Sequence, residues 1–377
     1  MNNQAAEIPA GAAVPKEAEK PHELVGTVVG GYRVVRKIAE GGMGVILEAK
    51  HLNLGQIAAV KVLSKELKND RSYPEIYQRF VNEAKAISRI QHPGIVKVYD
   101  QGQLPNGTTY ILMEYLDGES LDRRIARGPF PAEGTWMPIP LVLRICRQLV
   151  SALAEAHRKS IVHRDLKPSN VILVADPEAP GGERTKLLDF GIARFTDAGQ
   201  NVSRTGTMLG TPLYMSPEQC MGERVDGKAD VYALGAMMFE MLTGRPPFGG
   251  TATALVVHHA TTPAPDLSVV VPGIPADIKA LVAKMLQKDR KARPTMIHLL
   301  DELRRLEALY PATDDGRSGA AAATDPTRMS MDFSALDGAK TRLTRPASPM
   351  ESALRWWWIA IPTLAATLAG ISYFLLR

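Results

Sequence analysis

The sequence predicts an α+β fold followed by one transmembrane helix. Three observations carry that expectation. Strand-like runs, Ala58-Ala59-Val60-Lys61 and Tyr110-Ile111-Leu112-Met113, lie in the first third of the chain. Helical stripes come next. Phe80, Ala84 and Ile87 fall at i, i+4 and i+7, and Val142, Ile145, Cys146, Leu149, Leu153 and Ala156 share one face of a second helix. Finally, residues 356–376 form a run of 21 residues without a charge.

The elements are punctuated in order. Residues 1–31 begin with a lead rich in Ala, Pro and Glu, without an apolar stretch long enough for a signal peptide, and read as disordered. A glycine-rich turn follows, Ala39-Glu40-Gly41-Gly42-Met43-Gly44-Val45-Ile46, in which missing Cβ atoms let backbone amides approach phosphates. The Phe80 helix, which also carries Glu83, is stopped by Gln91-His92-Pro93-Gly94. Gly128-Pro129-Phe130-Pro131 marks a loop before the second helix, whose stripe reads as core. Asp176 to Arg184 reads as a long hairpin turn, and Asp230 is expected to open a helix ending at Gly244. Residues 310–355, rich in Ala, Asp, Gly, Thr, Ser and Pro, read as a flexible tether.

Composition limits the function classes. The 377 residues are 45% hydrophobic, enough for one sizeable domain plus appendages. Cys146 and Cys220 are too few for a disulfide framework or a metal cluster and read as reduced thiols. A net charge of +5, with no basic run interleaved with aromatics, argues against a nucleic-acid partner.

The chemistry concentrates in residues 161–170 (IVHRDLKPSN) and 187–191 (LLDFG). They place Asp165, Lys167, Asn170 and Asp189 in one short loop and the strand pair after it. Such a set can position a hydroxyl nucleophile and hold two magnesium ions against a nucleotide triphosphate.

With these motifs the chain resembles the eukaryotic-type (Hanks-type) serine/threonine protein kinase family, most closely in wording its bacterial members (EGGMG, EYLDGESL, SPEQC). The resemblance spans residues 32–309 and implies a two-lobed fold, with a small β-rich N-lobe and a larger helical C-lobe. Against the pattern G-x-G-x-x-G-x-V, Gly41 and Gly44 match, Ala39 replaces the first glycine and Ile46 the valine. The implied ATP contacts are Ala39, Glu40, Gly41, Gly42, Met43, Gly44, Ile46 and Ala59. Lys61 would sit on the α- and β-phosphates, held by Glu83, and Met113, Glu114 and Leu116 would form the adenine-binding hinge. Asp165 is the implied base or orienting group and Lys167 the neutraliser of the transferring phosphoryl. Asn170 and Asp189 are the implied ligands for Mg²⁺ (or Mn²⁺). His163 reads as a structural residue of the loop.

The lysine two places after Asp165 resembles kinases that act on Ser and Thr. Gly210-Thr211-Pro212 and Ser216-Pro217-Glu218 resemble a platform for protein substrates, with Glu218 expected to pair with Arg293. Arg164 beside Asp165 implies a loop settled by phosphorylation. Thr196, Ser203, Thr205 and Thr207 are available, with Thr205 and Thr207 the expected autophosphorylation sites. A nucleotide-binding scaffold without turnover is the alternative reading, and Ala39 is the one departure that favours it.

The segment 356–376 is long enough, at about 1.5 Å per residue, to cross a bilayer. Trp356, Trp357 and Trp358 make an aromatic belt, Tyr373 stands near the other interface, and Pro362 is tolerated within a span. Lys340, Arg342, Arg345 and Arg355 precede the segment and only Arg377 follows. The expected arrangement is a single-pass protein of the cell (inner) membrane with a cytoplasmic kinase domain and no extracytoplasmic domain. Its implied partners are the lipid bilayer and protein substrates. A homodimer is also implied, through the small-xxx-small pair Ala366 and Gly370.

Overall fold

Alternating apolar and polar residues in the first part of the chain build an antiparallel sheet, whose strands are β1 (Val28–Val29), β2 (Tyr32–Gly41), β3 (Gly44–His51), β4 (Ile57–Leu63), β5 (Val98–Gln103) and β6 (Thr109–Glu114). Their spatial order is β1-β2-β3-β4-β6-β5. The computed structural model describes residues 22–41, 44–64, 67, 73–129, 135–190 and 212–311, which all belong to one compact unit. Gly42, Met43, the segment from Gly191 to Thr211 and everything beyond residue 311 lie outside the described residues, as does most of the N-terminal lead.

β4 is the central strand of this lobe. Ala58, Val60 and Val62 pack against Leu47, Ala49 and Leu112 in a wholly apolar cluster, while Lys61 stands between Ile46 of β3 and Ile111 of β6. Helix α1 (Tyr73–Ile87) buries Phe80, Val81, Ala84 and Ile87, the stripe expected from the sequence. Its contact with Leu63 and Ile111 sets the helix beside the strand that carries Lys61.

The larger lobe is helical. β7 (Gly118–Ser120), β8 (Val171–Ala175) and β9 (Glu183–Leu187) form a small antiparallel sheet. The helices are α2 (Leu121–Ala126), α3 (Ile139–Arg158), α4 (Pro217–Cys220), α5 (Gly227–Thr243), α6 (Ala252–Thr261), α7 (Leu267–Val270), α8 (Ala276–Met285) and α9 (Met296–Leu309). In α3 the six stripe residues named above are all buried. α5 is apolar on all sides and correspondingly buried nearly all round, as the axis of a helical lobe must be.

α5 begins earlier than the sequence suggested. Asp226 caps it by accepting from the Lys228 amide, so Asp230 lies in the first turn rather than at the start. Gly244 closes the helix in the left-handed region at φ +74°, where a Cβ would also strike Trp136. Among the described residues no helix is long and apolar enough to cross a membrane, and the expected span 356–376 is outside them.

Candidate active site

The cleft between the lobes is walled by residues from both. Ile38, Ile46, Ala59 and Lys61 come from the sheet, Met113, Glu114, Tyr115 and Leu116 from the connection after β6, and Val96, Leu188 and Asp189 from its floor and back. Counted out to the solvent at its mouth, the open volume is about 460 Å³. Its walls are mainly apolar, with charge only at Lys61, Asp189 and Glu114.

At the inner end Lys61 Nζ donates to Asp189 Oδ1 at 2.8 Å and to Glu83 Oε1 at 3.4 Å. Burial works to lower the Lys61 pKa, but the two carboxylates outweigh it and hold the ammonium above its ordinary value. Burial, set against the attraction of Lys61, pushes the Glu83 carboxyl up to about 8. The expected Lys61–Glu83 pairing is therefore present, and Asp189 joins it.

The loop after α3 carries the other charges. Asn170 Nδ2 donates to the Asp165 carbonyl at 2.8 Å and to Asp165 Oδ2 at 3.4 Å, and Lys167 Nζ lies 3.3 Å from the same carboxylate oxygen. Asn170 sits at the end of a 3-10 turn, Pro168–Asn170, at the mouth of β8. Its Oδ1 is buried without a hydrogen-bond partner among the described atoms. A buried, orphaned amide oxygen is costly unless something occupies it, and it is the ligand type hard cations take. The residues thus fit the Mg²⁺ or Mn²⁺ that the motifs imply, with Asn170 Oδ1 and the Asp189 carboxylate as the donors. Among the described residues no three His, Cys, Asp or Glu side chains gather into a ready-made metal centre.

Three supports hold the loop in shape. Asp230 Oδ2 accepts from the His163 amide at 2.9 Å, and Oδ1 from the Arg164 amide at 3.0 Å. His157 Nε2 reaches Asp230 Oδ2 at 2.7 Å. Burial opposes charge on Asp230, but His157 and these bonds outweigh it and keep the carboxyl below the usual range. The brace lets Arg164 take φ +66°, a left-handed conformation that costs a non-glycine residue about 1 kcal/mol.

His163 is wholly buried, and burial lowers its pKa despite the Asp230 charge, so the ring is neutral. Nε2 donates to the Leu188 carbonyl at 2.9 Å, which leaves Nδ1 to accept from the Asp165 amide at 3.3 Å. The ring packs on Phe190 with centroids 4.7 Å apart. It positions Asp165 and Asp189 and does no proton chemistry itself, in line with the structural role expected for it.

The third support is Glu218. Arg293 donates to both its oxygens at 2.8 Å, both side chains being buried. Ser216 and Gln219 form a reciprocal cap on α4, and Gln219 Nε2 donates to the Arg164 carbonyl at 2.8 Å, linking this anchor to the catalytic loop.

Of the glycine-rich turn, Gly41 and Gly44 pair across the β2–β3 hairpin, and a Cβ on Gly44 would fall 1.9 Å from the Val62 carbonyl oxygen. Ala39 is buried opposite Ile46 and Glu40 is exposed beside Lys37, while Ile38 and Ile46 supply the cleft wall here. Gly42, Met43, Thr205 and Thr207 lie outside the described residues, as do Gly210 and Thr211. Sequence reasoning missed Ile38, Val96 and Leu188 as cleft walls. Ile38 was legible as the apolar residue just before the glycines. Val96 was not, because an isolated parallel bridge between Ile95 and Leu187 is what brings its segment to the cleft.

Comparison with known proteins agrees with this geometry. The protein kinase domain model matches residues 32–303. Over 280 residues the chain is 40% identical to the serine/threonine-protein kinase Pkn1 of Myxococcus xanthus, covering 74% of this chain and 38% of that protein. Over 323 residues it is 36% identical to PknF of Mycobacterium tuberculosis, covering 85% and 63%. The crystal structure of the Mycobacterium tuberculosis PknI kinase domain superposes with a TM-score of 0.56 at 29% identity, covering 74% of this chain and 98% of that one. The chain spans about a third to a half of the length of the Myxococcus relatives it matches.

Proposed function

The chain belongs to the protein kinase family, and from that premise we propose that it is a serine/threonine protein kinase, using ATP and Mg²⁺ or Mn²⁺ and anchored in the membrane by residues 356–376. The observation that carries the reading is a pair of charge clusters: Lys61 with Glu83 and Asp189 at the inner end of the cleft, and Asp165 with Lys167 and Asn170, whose carbonyl accepts from the Leu188 amide beside Asp189.

Each side chain has a distinct task. The apolar walls, Ile38, Ile46, Ala59 and Met113, exclude water from the base, and the main chain of residues 114–116 offers it hydrogen bonds. Lys61 steadies the α- and β-phosphates from a site where Glu83 and Asp189 have already fixed its rotamer. Asp165 orients the acceptor hydroxyl in line with the γ-phosphorus and takes its proton at a carboxylate oxygen. Lys167 and Asn170 hold that carboxylate still. Lys167 also faces the charge that develops on the transferring group. Asn170 Oδ1 and the Asp189 carboxylate would hold the metal, which when bound would supply charge neutralisation to the phosphates. No covalent enzyme intermediate is needed, so the rate gain comes from placement and electrostatics.

The preference for Ser and Thr acceptors rests on Lys167 and on the names of the relatives. Arg164, set beside Asp165 by the Asp230 brace, supports activation by autophosphorylation at Thr205 or Thr207. The anchor rests on the uncharged run and on the basic residues before it, which also favour a cytoplasmic kinase domain.

The test is transfer of labelled γ-phosphate by the full chain in lipid vesicles, beside an Asp165→Asn copy, with sites mapped by mass spectrometry. Label on Thr205 or Thr207 in the first and none in the second is the expected result. Nucleotide binding without transfer from the wild type in lipid would replace this reading with a scaffold. Recovery of a Trp356-to-stop variant in the membrane fraction would remove the anchor.

A further inference from the structure

The end of β9 and the two residues after it each touch a different part of the cleft. Leu187 is bonded to the segment before β5, its amide donating to the Gly94 carbonyl at 2.8 Å and its carbonyl accepting from the Val96 amide at 3.1 Å. The Leu188 amide donates to the Asn170 carbonyl at 2.8 Å, and its carbonyl accepts from His163. Asp189 accepts from Lys61. One residue earlier, Lys186 points to the opposite end of the site. Its Nζ donates to both carboxylate oxygens of Glu114, at 2.7 and 2.9 Å.

This ion pair is not a surface decoration. The Lys186 side chain is 8% exposed and that of Glu114 21%. Glu114 lines the cleft, yet its carboxylate is committed behind the hinge, where Oε2 also accepts from the Lys97 amide at 3.1 Å. The Glu114 amide donates in turn to the Lys97 carbonyl at 2.8 Å. Lys97 contributes only main-chain groups to these bonds, so Lys186 is the cation that answers the Glu114 charge. A charge-assisted, largely dry pair of this kind is stronger and geometrically stricter than an exposed one.

We infer that Lys186 is a positioning residue for nucleotide-base recognition: by clamping Glu114 it fixes the hinge main chain in register with Asp189, three residues further along the chain and just past the end of β9. This rests on the kinase reading of the cleft. One short run, residues 186–189, then reaches both the base end and the phosphate end of the site. Adenine and guanine present different donors and acceptors to a hinge, so discrimination between them depends on how rigidly the hinge amides and carbonyls are placed. Without the clamp, the Glu114 carboxylate can swing to the solvent it already partly sees, and the main chain it carries loses its reference.

The experiment measures dissociation constants of ADP and GDP for the full-length protein by titration calorimetry, with no turnover required. Wild type, Lys186→Met, Lys186→Arg and Glu114→Gln are compared. For Lys186→Met the ADP dissociation constant is expected to rise about tenfold, the loss of one charge-assisted pair, with a smaller change for GDP, so the preference falls. Lys186→Arg restores the preference, and Glu114→Gln, which keeps a hydrogen bond without the charge, falls between. Should Lys186→Met not fold, the Arg and Gln variants decide: an ADP/GDP ratio in Glu114→Gln equal to wild type overturns the inference. An unchanged ratio in Lys186→Met, whether both nucleotides are unaffected or weakened alike, also overturns it, since a merely structural lesion scales both together. Wild-type protein that binds neither nucleotide overturns the kinase reading and this inference with it.

Discussion

Replacing Arg293 by Lys keeps the charge and removes the geometry. The guanidinium is 0% exposed and all five of its N–H groups are used. Nε donates to the Gln287 carbonyl at 2.7 Å. The first terminal nitrogen donates to Glu218 at 2.8 Å and to the Lys228 carbonyl at 2.9 Å. The second donates to Glu218 at 2.8 Å and to the Lys288 carbonyl at 3.0 Å. Lysine has three donors on one tetrahedral nitrogen and cannot reach these acceptors, which are arrayed around a planar fork. At least two buried acceptors lose their partner, at about 1–3 kcal/mol each, so the expected cost is about 4 kcal/mol. For a domain of this size it corresponds to a fall in melting temperature of about 10 °C. Urea unfolding followed by circular dichroism, with Arg293→Lys beside Arg304→Lys on the surface, measures it. Arg304 is 61% exposed and its variant should leave the midpoint unchanged. A cost below about 1 kcal/mol for Arg293→Lys would refute the reasoning, because the five bonds would then not depend on the fork.

The remaining predictions follow from the same supports. Asp230→Asn keeps the size but removes the charge that holds His157 and the His163 and Arg164 amides; kcat should drop about a hundredfold while the dissociation constant for ADP stays within about twofold. Gly44→Ala places a Cβ 1.9 Å from the Val62 carbonyl at φ +156°, so the hairpin must shift; nucleotide affinity should fall at least about tenfold, read by the same titration. His259 is 0% exposed, and burial together with the Lys288 charge depresses its pKa from 6.5 to about 4. The unfolded chain therefore binds the extra proton between those values, and stability rises with pH across that window by about 3 kcal/mol. In His259→Gln, urea midpoints between pH 4 and 6.5 should lose that slope. A slope unchanged from wild type would place the acid sensitivity elsewhere.

Much of the site was legible because its chemistry is local. Asp165, Lys167 and Asn170 lie within six residues of one another, and a loop that short leaves their side chains little choice of neighbour. The stripes of α1 and α3 were readable for the same reason: a period of 3.6 residues is a property of the chain before it packs. The start of α5 was misplaced because Asp226 and Asp230 are both good helix openers. The choice was made by Asp230 turning inward to the His163 and Arg164 amides, which left Asp226 to cap.

What the sequence by itself determined is the inventory: Lys61, Glu83, Asp165, Lys167, Asn170, Asp189, the run from Met113 to Leu116 and an uncharged apolar run at 356–376, each legible from residue type and motif. What only the tertiary structure decided is which distant charges answer each other. Lys61 and Asp189 are 128 positions apart, and Glu114 and Lys186 72. Such pairs leave no periodic trace, because a charge is a single point and its partner is chosen by where two elements happen to meet. Their energy also depends on burial, which exists only once the lobes have packed.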